Sequence, residues 1–205
     1  AFWLPGLVGY VAASGVAGLL LGRGFPHPEL GWCNVVTQGR LALVALLAAP
    51  LAAQSGAGGW AVAALALAAF ALDGADGWLA RRQGLSSAFG ARFDMEVDAA
   101  LALVLVLHAL AAGAAGPAVL VLGLARYAFL AASLAWPWLA RPLPERLSRK
   151  AVCVGQLSTL IALQVPVLPG DAAEALGLGA AAALAWSFGR DIRWLHRTRP
   201  ACAWA

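Results

Sequence analysis

The stretch that decides the fold is DGADGWLARRQGLSSAFGARFDMEVD, residues 73–98. An apolar run, AVAALALAAFAL, comes directly before it, and a second, AALALVLVLHALAA, comes directly after it. Five of the ten acidic residues of the chain lie within these 26 residues. Carboxylates avoid apolar surroundings unless something neutralises them. Their concentration between two apolar runs therefore indicates a site.

The composition identifies the class of protein. Of the 205 residues, 62% are hydrophobic and only 12% are charged, and the mean hydropathy is +0.79. A soluble domain carries about 25% charged residues. We therefore expect an integral membrane protein. Nucleic-acid binding is not supported, because the tryptophans near the ends of the apolar runs are typical of membrane-interface anchors.

Seven apolar runs divide the chain. Most of them approach the roughly 20 residues that a membrane-spanning helix needs, and the second has to borrow from NVVTQGR before it. Helices suit such runs in lipid, and alanine and leucine both favour helix. We expect an all-α polytopic membrane protein with helices at about residues 2–22, 41–53, 60–81, 91–112, 117–138, 151–168 and 172–188.

The connectors between these runs alternate in charge. AQSGAGG and AGAAGP hold no basic residue and PGDAAE is acidic, whereas RRQGLSSAFGAR, ARPLPERLSRK and GRDIRWLHRTRP are basic. Thirteen of the fourteen Lys and Arg residues then lie on one side of the membrane, Arg126 being the exception. By the positive-inside rule that side is the cytoplasm.

The aspartates are spaced so that they can meet. Asp73 and Asp76 are three residues apart and Asp94 and Asp98 are four apart, so each pair shares one face of a helix. The basic connector between the pairs folds the chain back and brings them to the same membrane depth. Mg²⁺ and Mn²⁺ prefer carboxylate oxygen ligands. No His or Cys lies in this acidic cluster, which argues against zinc. Two ions roughly 3.5–4 Å apart are a recurring device for displacement at phosphorus.

The same stretch carries a resemblance to a known family. From Asp73 onward it reads Asp-x2-Asp-Gly-x2-Ala-Arg-x8-Gly-x3-Asp-x3-Asp. This resembles, at every fixed position, the signature of the CDP-alcohol phosphotransferase (class I CDP-alcohol phosphatidyltransferase) family. Upstream, NVVTQGR is similar to the start of the family's first core helix. The resemblance implies a six-helix transmembrane core in residues 25–199, with one extra transmembrane helix in residues 1–24 and a tail at 200–205.

The resemblance also implies roles for the four aspartates. Asp73, Asp76 and Asp94 would hold Mg²⁺ or Mn²⁺, as two ions. Asp98 would take the proton from the acceptor hydroxyl and would also touch a metal. No Ser, Cys or His nucleophile lies beside the aspartates, so direct transfer is preferred over a covalent intermediate.

Further residues would bind the CDP moiety by the same resemblance. A glycine without a side chain would let the nucleotide approach the helix backbone, and an arginine would contact the phosphates. The residues concerned are Gly77, Arg81, Asn34, Thr37 and Arg40. Gly90 would allow a tight approach between helices.

Basic residues outside the signature are candidates for the acceptor site. Arg126 lies within an apolar run, where an arginine is costly, so it should face a cavity or a carboxylate. Basic connector residues also serve topology and lipid headgroups, but together they would suit a phosphorylated acceptor. The candidate acceptor-binding residues are Arg126, Arg141, Arg149, Lys150 and Arg190. His108 is expected to be a packed or an interhelical hydrogen-bonding residue rather than a metal ligand.

These features predict an enzyme of phospholipid biosynthesis that transfers a phosphatidyl group from CDP-diacylglycerol to an alcohol and releases CMP. Glycerol 3-phosphate or inositol phosphate suits the basic connectors, while serine, myo-inositol and choline stay open. The alternatives are a soluble CDP-alcohol donor with a diacylglycerol acceptor, a divalent-cation transporter and a non-catalytic membrane scaffold. We expect the active site to face the cytoplasm of a bacterial inner membrane. The oligomeric state is open, a homodimer included.

Overall fold

The computed structural model describes residues 7–8, 10–11, 14–15, 32–54, 57–84, 87–144 and 146–198. Within these ranges the protein is all-helical and contains no strand, as the composition predicts. Most of the expected first helix, residues 2–22, lies outside the described residues. The predicted extra N-terminal helix and the tail at 200–205 therefore stay predictions.

Six α-helices occupy the part of the chain from residue 32 to residue 198. They coincide with the second to seventh apolar runs, and the first of them includes the polar turn NVVTQGR. Two short 3₁₀ helices, Pro117–Val119 and Pro137–Ala140, lie on either side of the fourth. The helices are α1 (Trp32–Ala52), α2 (Gly59–Gln83), α3 (Ala88–Ala111), α4 (Leu120–Ala135), α5 (Leu147–Ala162) and α6 (Gly170–Arg197).

Among the described residues, four segments are long and apolar enough to cross a membrane. They are Asn34–Ala52, Gly59–Gln83, Pro117–Ala135 and Gly170–Arg197. Helix α3 has a sufficient length of 24 residues, but its first half carries four charged side chains, and α5 has only 16 residues. The chain is thus an integral membrane protein of the helical class, as expected from its hydropathy.

Helix α3 lies at the centre of the bundle and packs against α1, α2, α4 and α5. Its side chains Leu101 and Leu105 are fully buried, and Leu47 and Leu160 reach them from α1 and α5. Large apolar side chains on the outside, such as Trp60, stay exposed, which suits a surface that faces lipid. The central position of α3 gives its polar residues access to several neighbouring helices.

In the half of the bundle that is distant from the aspartates, hydrogen bonds hold the helices together. His108 Nε2 lies 2.7 Å from the carbonyl oxygen of Leu47, which confirms the predicted interhelical bond. Gln164 Nε2 donates to the carbonyl oxygen of Leu105 at 3.0 Å. A Cβ at Gly59 would lie 2.3 Å from the carbonyl oxygen of Gln164, so only glycine permits the close approach of α2 to this segment.

Candidate active site

A tight turn brings the two aspartate pairs to the same end of the bundle. Helix α2 ends at Gln83, and Gly84 follows in the left-handed region with φ of 67°. Ser87 then caps α3, because its Oγ accepts a hydrogen bond from the backbone N–H of Gly90 at 3.0 Å. Among the described residues, only Ser87 Oγ would lie within 4 Å of a Cβ at Gly90. The tight approach between helices that was expected at Gly90 is therefore not observed there within the described ranges.

The four aspartates converge on one guanidinium group, that of Arg40. Its Nη1 lies 2.9 Å from Asp73 Oδ1 and 2.8 Å from Asp76 Oδ2. Nη1 also pairs with Asp94 Oδ1, and Nη2 pairs with Asp98 Oδ1. The Nε of Arg40 donates to the carbonyl oxygen of Ala69 at 3.2 Å. Helices α1, α2 and α3 therefore meet at a single fully buried arginine.

The charge of this cluster is not balanced. Four carboxylates and one guanidinium leave three formal negative charges, counting one for each group. Asp76 is buried, whereas the side chains of Asp73, Asp94 and Asp98 are 33%, 34% and 32% exposed. Uncompensated carboxylates beside an apolar bundle favour the entry of cations from the exposed side.

The donor atoms of the cluster fit a divalent cation. Asp73, Asp76 and Asp94 each offer a carboxylate oxygen, and these oxygens lie within 4.8 Å of one another. A set made only of carboxylate oxygens suits Mg²⁺ or Mn²⁺. Arg40 contacts the same three carboxylates, so it and a divalent cation would compete for them or share them.

Comparison with known proteins identifies the family. The family model for CDP-alcohol phosphatidyltransferase matches residues 31–188. The chain belongs to this family. No curated protein and no solved structure matches it. The matched residues hold the four aspartates and reach from the start of α1 into α6, and the family is one of transferases of phospholipid biosynthesis.

Of the residues predicted to bind the CDP moiety, two contact the aspartates and, within the described structure, three do not. Thr37, like Arg40, turns toward the aspartates, and its Oγ1 donates to Asp76 Oδ2 at 3.1 Å. Asn34 is half-buried, and its Nδ2 has no hydrogen-bond partner among the described residues. Arg81 is exposed, and its Nη1 would lie 3.5 Å from a Cβ at Gly77. The guanidinium of Arg81 therefore lies beside the backbone of Gly77.

Arg126 of the phosphatidyltransferase has the carboxylate partner that the sequence predicted for it. Its Nη2 lies 2.5 Å from Glu96 Oε1, and this ion pair joins α4 to α3. The two side chains are 32% and 42% exposed. Glu96 was not predicted as a functional residue, although it is the fifth acidic residue of the motif stretch.

A second polar cluster joins the N-terminal end of α5 to the C-terminal part of α6. Arg149 Nε pairs with Asp191 Oδ2 at 2.9 Å, and Arg190 Nη2 donates to Ser148 Oγ at 2.8 Å. The guanidinium of Arg190 also lies 4.7 Å from the ring centroid of Trp186. Asp191 and Ser148 were not predicted, and the only signal for Asp191 is a carboxylate between basic residues near the end of an apolar run.

The other two acceptor candidates are Arg141 and Lys150. Arg141 Nη1 donates to the carbonyl oxygen of Thr198 at 2.5 Å, and Lys150 is exposed. Cys153, one turn beyond Arg149, interacts electrostatically with Asp98 as well as with Arg149 and Asp191. Because α5 also packs against α2 and α3, the α5–α6 cluster and the aspartates belong to one region of the bundle.

Proposed function

We propose that this protein transfers the phosphatidyl group of CDP-diacylglycerol to a phosphorylated alcohol in a reaction that depends on Mg²⁺ or Mn²⁺ and releases CMP. The observation that carries the proposal is the convergence of four motif aspartates on a single arginine, with an excess of three negative charges. A diphosphate donor is itself anionic, so the cluster needs added cations before it accepts one.

Asp73, Asp76 and Asp94 are the residues proposed to hold the metal, with Asp98 beside them. A pair of bound divalent ions would draw charge from the phosphorus and stabilise the departing CMP. Thr37 holds the carboxylate of Asp76 in place through a buried hydrogen bond. The side chains of Asp73, Asp94 and Asp98 are about one-third exposed, so these three carboxylates are accessible to an added cation, while Asp76 is buried behind them in the cluster.

Asp98 is proposed as the general base. Its one-third-exposed carboxylate receives the proton of the acceptor hydroxyl while the acceptor oxygen forms a bond to the phosphorus. The bond between that phosphorus and the oxygen of CMP breaks, and CMP leaves with the electron pair. Asn34, Gly77 and Arg81 are proposed to bind the CDP moiety, since Arg81 is exposed and lies beside the backbone of Gly77.

Arg190 is proposed as the main contact for the phosphate of the acceptor, with Arg149 beside it. Arg149 is already paired with Asp191 and Arg126 with Glu96, whereas the contacts of Arg190 are to a hydroxyl and an aromatic ring. Its positive charge is therefore less compensated than theirs. Such a cation suits glycerol 3-phosphate or inositol phosphate better than serine, myo-inositol or choline.

The placement in the cell is part of the proposal. The positive-inside rule supports a cytoplasmic active site, and the inner membrane of a bacterium is the proposed location. A cation transporter is not favoured, because its carboxylates are expected at several depths, whereas these four surround one arginine.

The test is a CMP-release assay on the protein purified in detergent with Mn²⁺. CDP-diacylglycerol is supplied with glycerol 3-phosphate, inositol phosphate, serine, myo-inositol or choline, and CDP-choline is supplied with diacylglycerol. We expect CMP from CDP-diacylglycerol with one of the two phosphorylated alcohols. Asp98→Asn should lower that turnover by about 10²-fold or more while the protein still binds CDP-diacylglycerol. CMP from CDP-choline and diacylglycerol alone would reverse the assignment of donor and acceptor.

A further inference from the structure

Glu96 is a charged residue at the level of the aspartates to which the proposed reaction assigns no role. It lies two residues from Asp94 and two from Asp98, which is about 200° of rotation around a helix. Asp94 and Asp98 therefore face Arg40, whereas Glu96 lies on the opposite side of α3. There it pairs with Arg126 at 2.5 Å.

Arg126 is the only charged residue of α4, whose sequence is LVLGLARYAFLAASLA. An arginine in an apolar span is costly unless it is paired. Its Nε is buried without a hydrogen-bond partner in the described part of the chain, so its ion pair with Glu96 compensates the guanidinium only at Nη2. Because a charged side chain in an apolar span is energetically costly, Arg126 is expected to have a function that an apolar residue could not serve.

The two helices are in close contact next to this pair. A Cβ at Gly123, one turn before Arg126 on α4, would lie 3.1 Å from the Cα of Leu103 on α3. The backbones therefore leave little room for one helix to roll over the other. A force on Glu96 from Arg126 is thus transmitted to α3 as a whole, including the carboxylates on its other face.

We propose that the Glu96–Arg126 ion pair positions Asp94 and Asp98 for the divalent cation by fixing the rotation of α3. The inference rests on the proposed metal-dependent function. Arg40 holds the inner face of α3 through the two aspartates. A divalent cation competes with Arg40 for Asp94 and Asp98, whereas the ion pair of Glu96 with Arg126 on the outer face remains unchanged. Arg126 is a positioning residue in this account and touches no substrate.

The direction in which Arg126→Gln changes the Mn²⁺ affinity distinguishes a positioning role from a through-space electrostatic effect. Arg126→Gln removes a positive charge, and a purely through-space effect would make the protein bind Mn²⁺ more tightly. Loss of positioning instead weakens Mn²⁺ binding, by about tenfold, the lower end of the usual cost of losing a contact that orients a metal ligand. Glu96→Gln weakens binding under both explanations, so Arg126 is the decisive position.

The experiment is an electron paramagnetic resonance titration of free Mn²⁺ with the full chain in detergent, combined with thermal unfolding in EDTA. Wild type, Arg126→Gln and Arg126→Lys are compared, with Arg92→Gln as the control because Arg92 is an exposed cation on the same helix. We expect weaker Mn²⁺ binding for both Arg126 variants, since lysine keeps the charge but its flexible ammonium does not reproduce the fixed geometry of the guanidinium. Arg92→Gln should bind Mn²⁺ as tightly as wild type or more tightly.

Three outcomes would overturn the inference. Tighter or unchanged Mn²⁺ binding by Arg126→Gln contradicts it, and so does a lower melting temperature in EDTA with unchanged Mn²⁺ affinity, which indicates a structural role only. If Arg126→Gln does not fold, Arg126→Lys decides, because a through-space effect predicts no change for it. A wild type that binds no Mn²⁺ overturns the proposed metal-dependent reaction itself, and the inference with it.

Discussion

The guanidinium of Arg40 contacts the carboxylates of all four motif aspartates. The spacing of the aspartates predicted two pairs on two helix faces, and the resemblance implied a metal site there. Neither indicated that a buried arginine from α1 would contact all four carboxylates, since that contact joins residues up to 58 positions apart. Local periodicity does not contain such a long-range pairing. The role implied for Arg40 was on the nucleotide side, whereas its observed contacts are with the aspartates.

The competition between Arg40 and the metal predicts opposite effects of Arg40→Gln on stability and on metal binding. Without metal the variant should melt at a lower temperature, because removing one partner of a buried ion pair costs about 3–5 kcal/mol. The Mn²⁺ concentration needed for half of the maximal thermal stabilisation should fall, because a competing cation is gone. Thermal unfolding over a series of Mn²⁺ concentrations measures both. Arg82→Gln, at an exposed residue, is the control, and a higher Mn²⁺ requirement in Arg40→Gln would refute the competition.

The acceptor site gives a second prediction for a single residue. Arg190→Gln should raise the KM for the phosphorylated acceptor about 10- to 100-fold and leave the KM for CDP-diacylglycerol unchanged, because a charge-assisted phosphate contact is worth about 1.5–3 kcal/mol. Arg193→Gln, an exposed arginine three residues further on α6, should change neither value. Steady-state kinetics with each substrate varied in turn checks this. An unchanged acceptor KM in Arg190→Gln favours a neutral or zwitterionic acceptor.

At the scale of elements, hydropathy located the helices well and their ends less well. Helix α1 already includes Thr37 and Arg40, ahead of the start predicted at residue 41, because these polar side chains find partners on other helices. Helix α5 ends at Ala162 rather than near 168, and α6 continues to Arg197 beyond the apolar run. Those differences arise where turn geometry and tertiary contacts, rather than hydrophobicity, decide where a helix stops.

The contact between α2 and the segment after α5 predicts a position-specific effect of alanine. Gly59→Ala should destabilise the protein by about 1–3 kcal/mol, because its Cβ would lie 2.3 Å from the carbonyl oxygen of Gln164. Gly58→Ala is the matched control, since nothing lies within 4 Å of a Cβ at that position. Thermal unfolding of both variants in detergent compares them. Equal melting temperatures would mean that the close approach of these two segments is not maintained.

For the whole molecule, the alternation of charge along the connectors predicts the orientation in the membrane. In a variant whose three cysteines are replaced by serine, Gly58→Cys should react with a membrane-impermeant maleimide from outside intact cells. Gln83→Cys should react only after the membrane is opened, because it is the last residue of α2, on the basic side. Labelling of both positions from the same side would contradict a membrane-spanning α2 and the cytoplasmic placement of the aspartates.

The central claim is that the four aspartates act through a divalent metal, and the metal dependence of CMP release tests it most directly. The purified protein is treated with EDTA, freed of chelator and supplied with CDP-diacylglycerol and a mixture of glycerol 3-phosphate and inositol phosphate. We predict no CMP above background until Mn²⁺ or Mg²⁺ is added, and full recovery after it, because the aspartates alone repel the diphosphate. Undiminished CMP release in metal-free buffer would contradict the account.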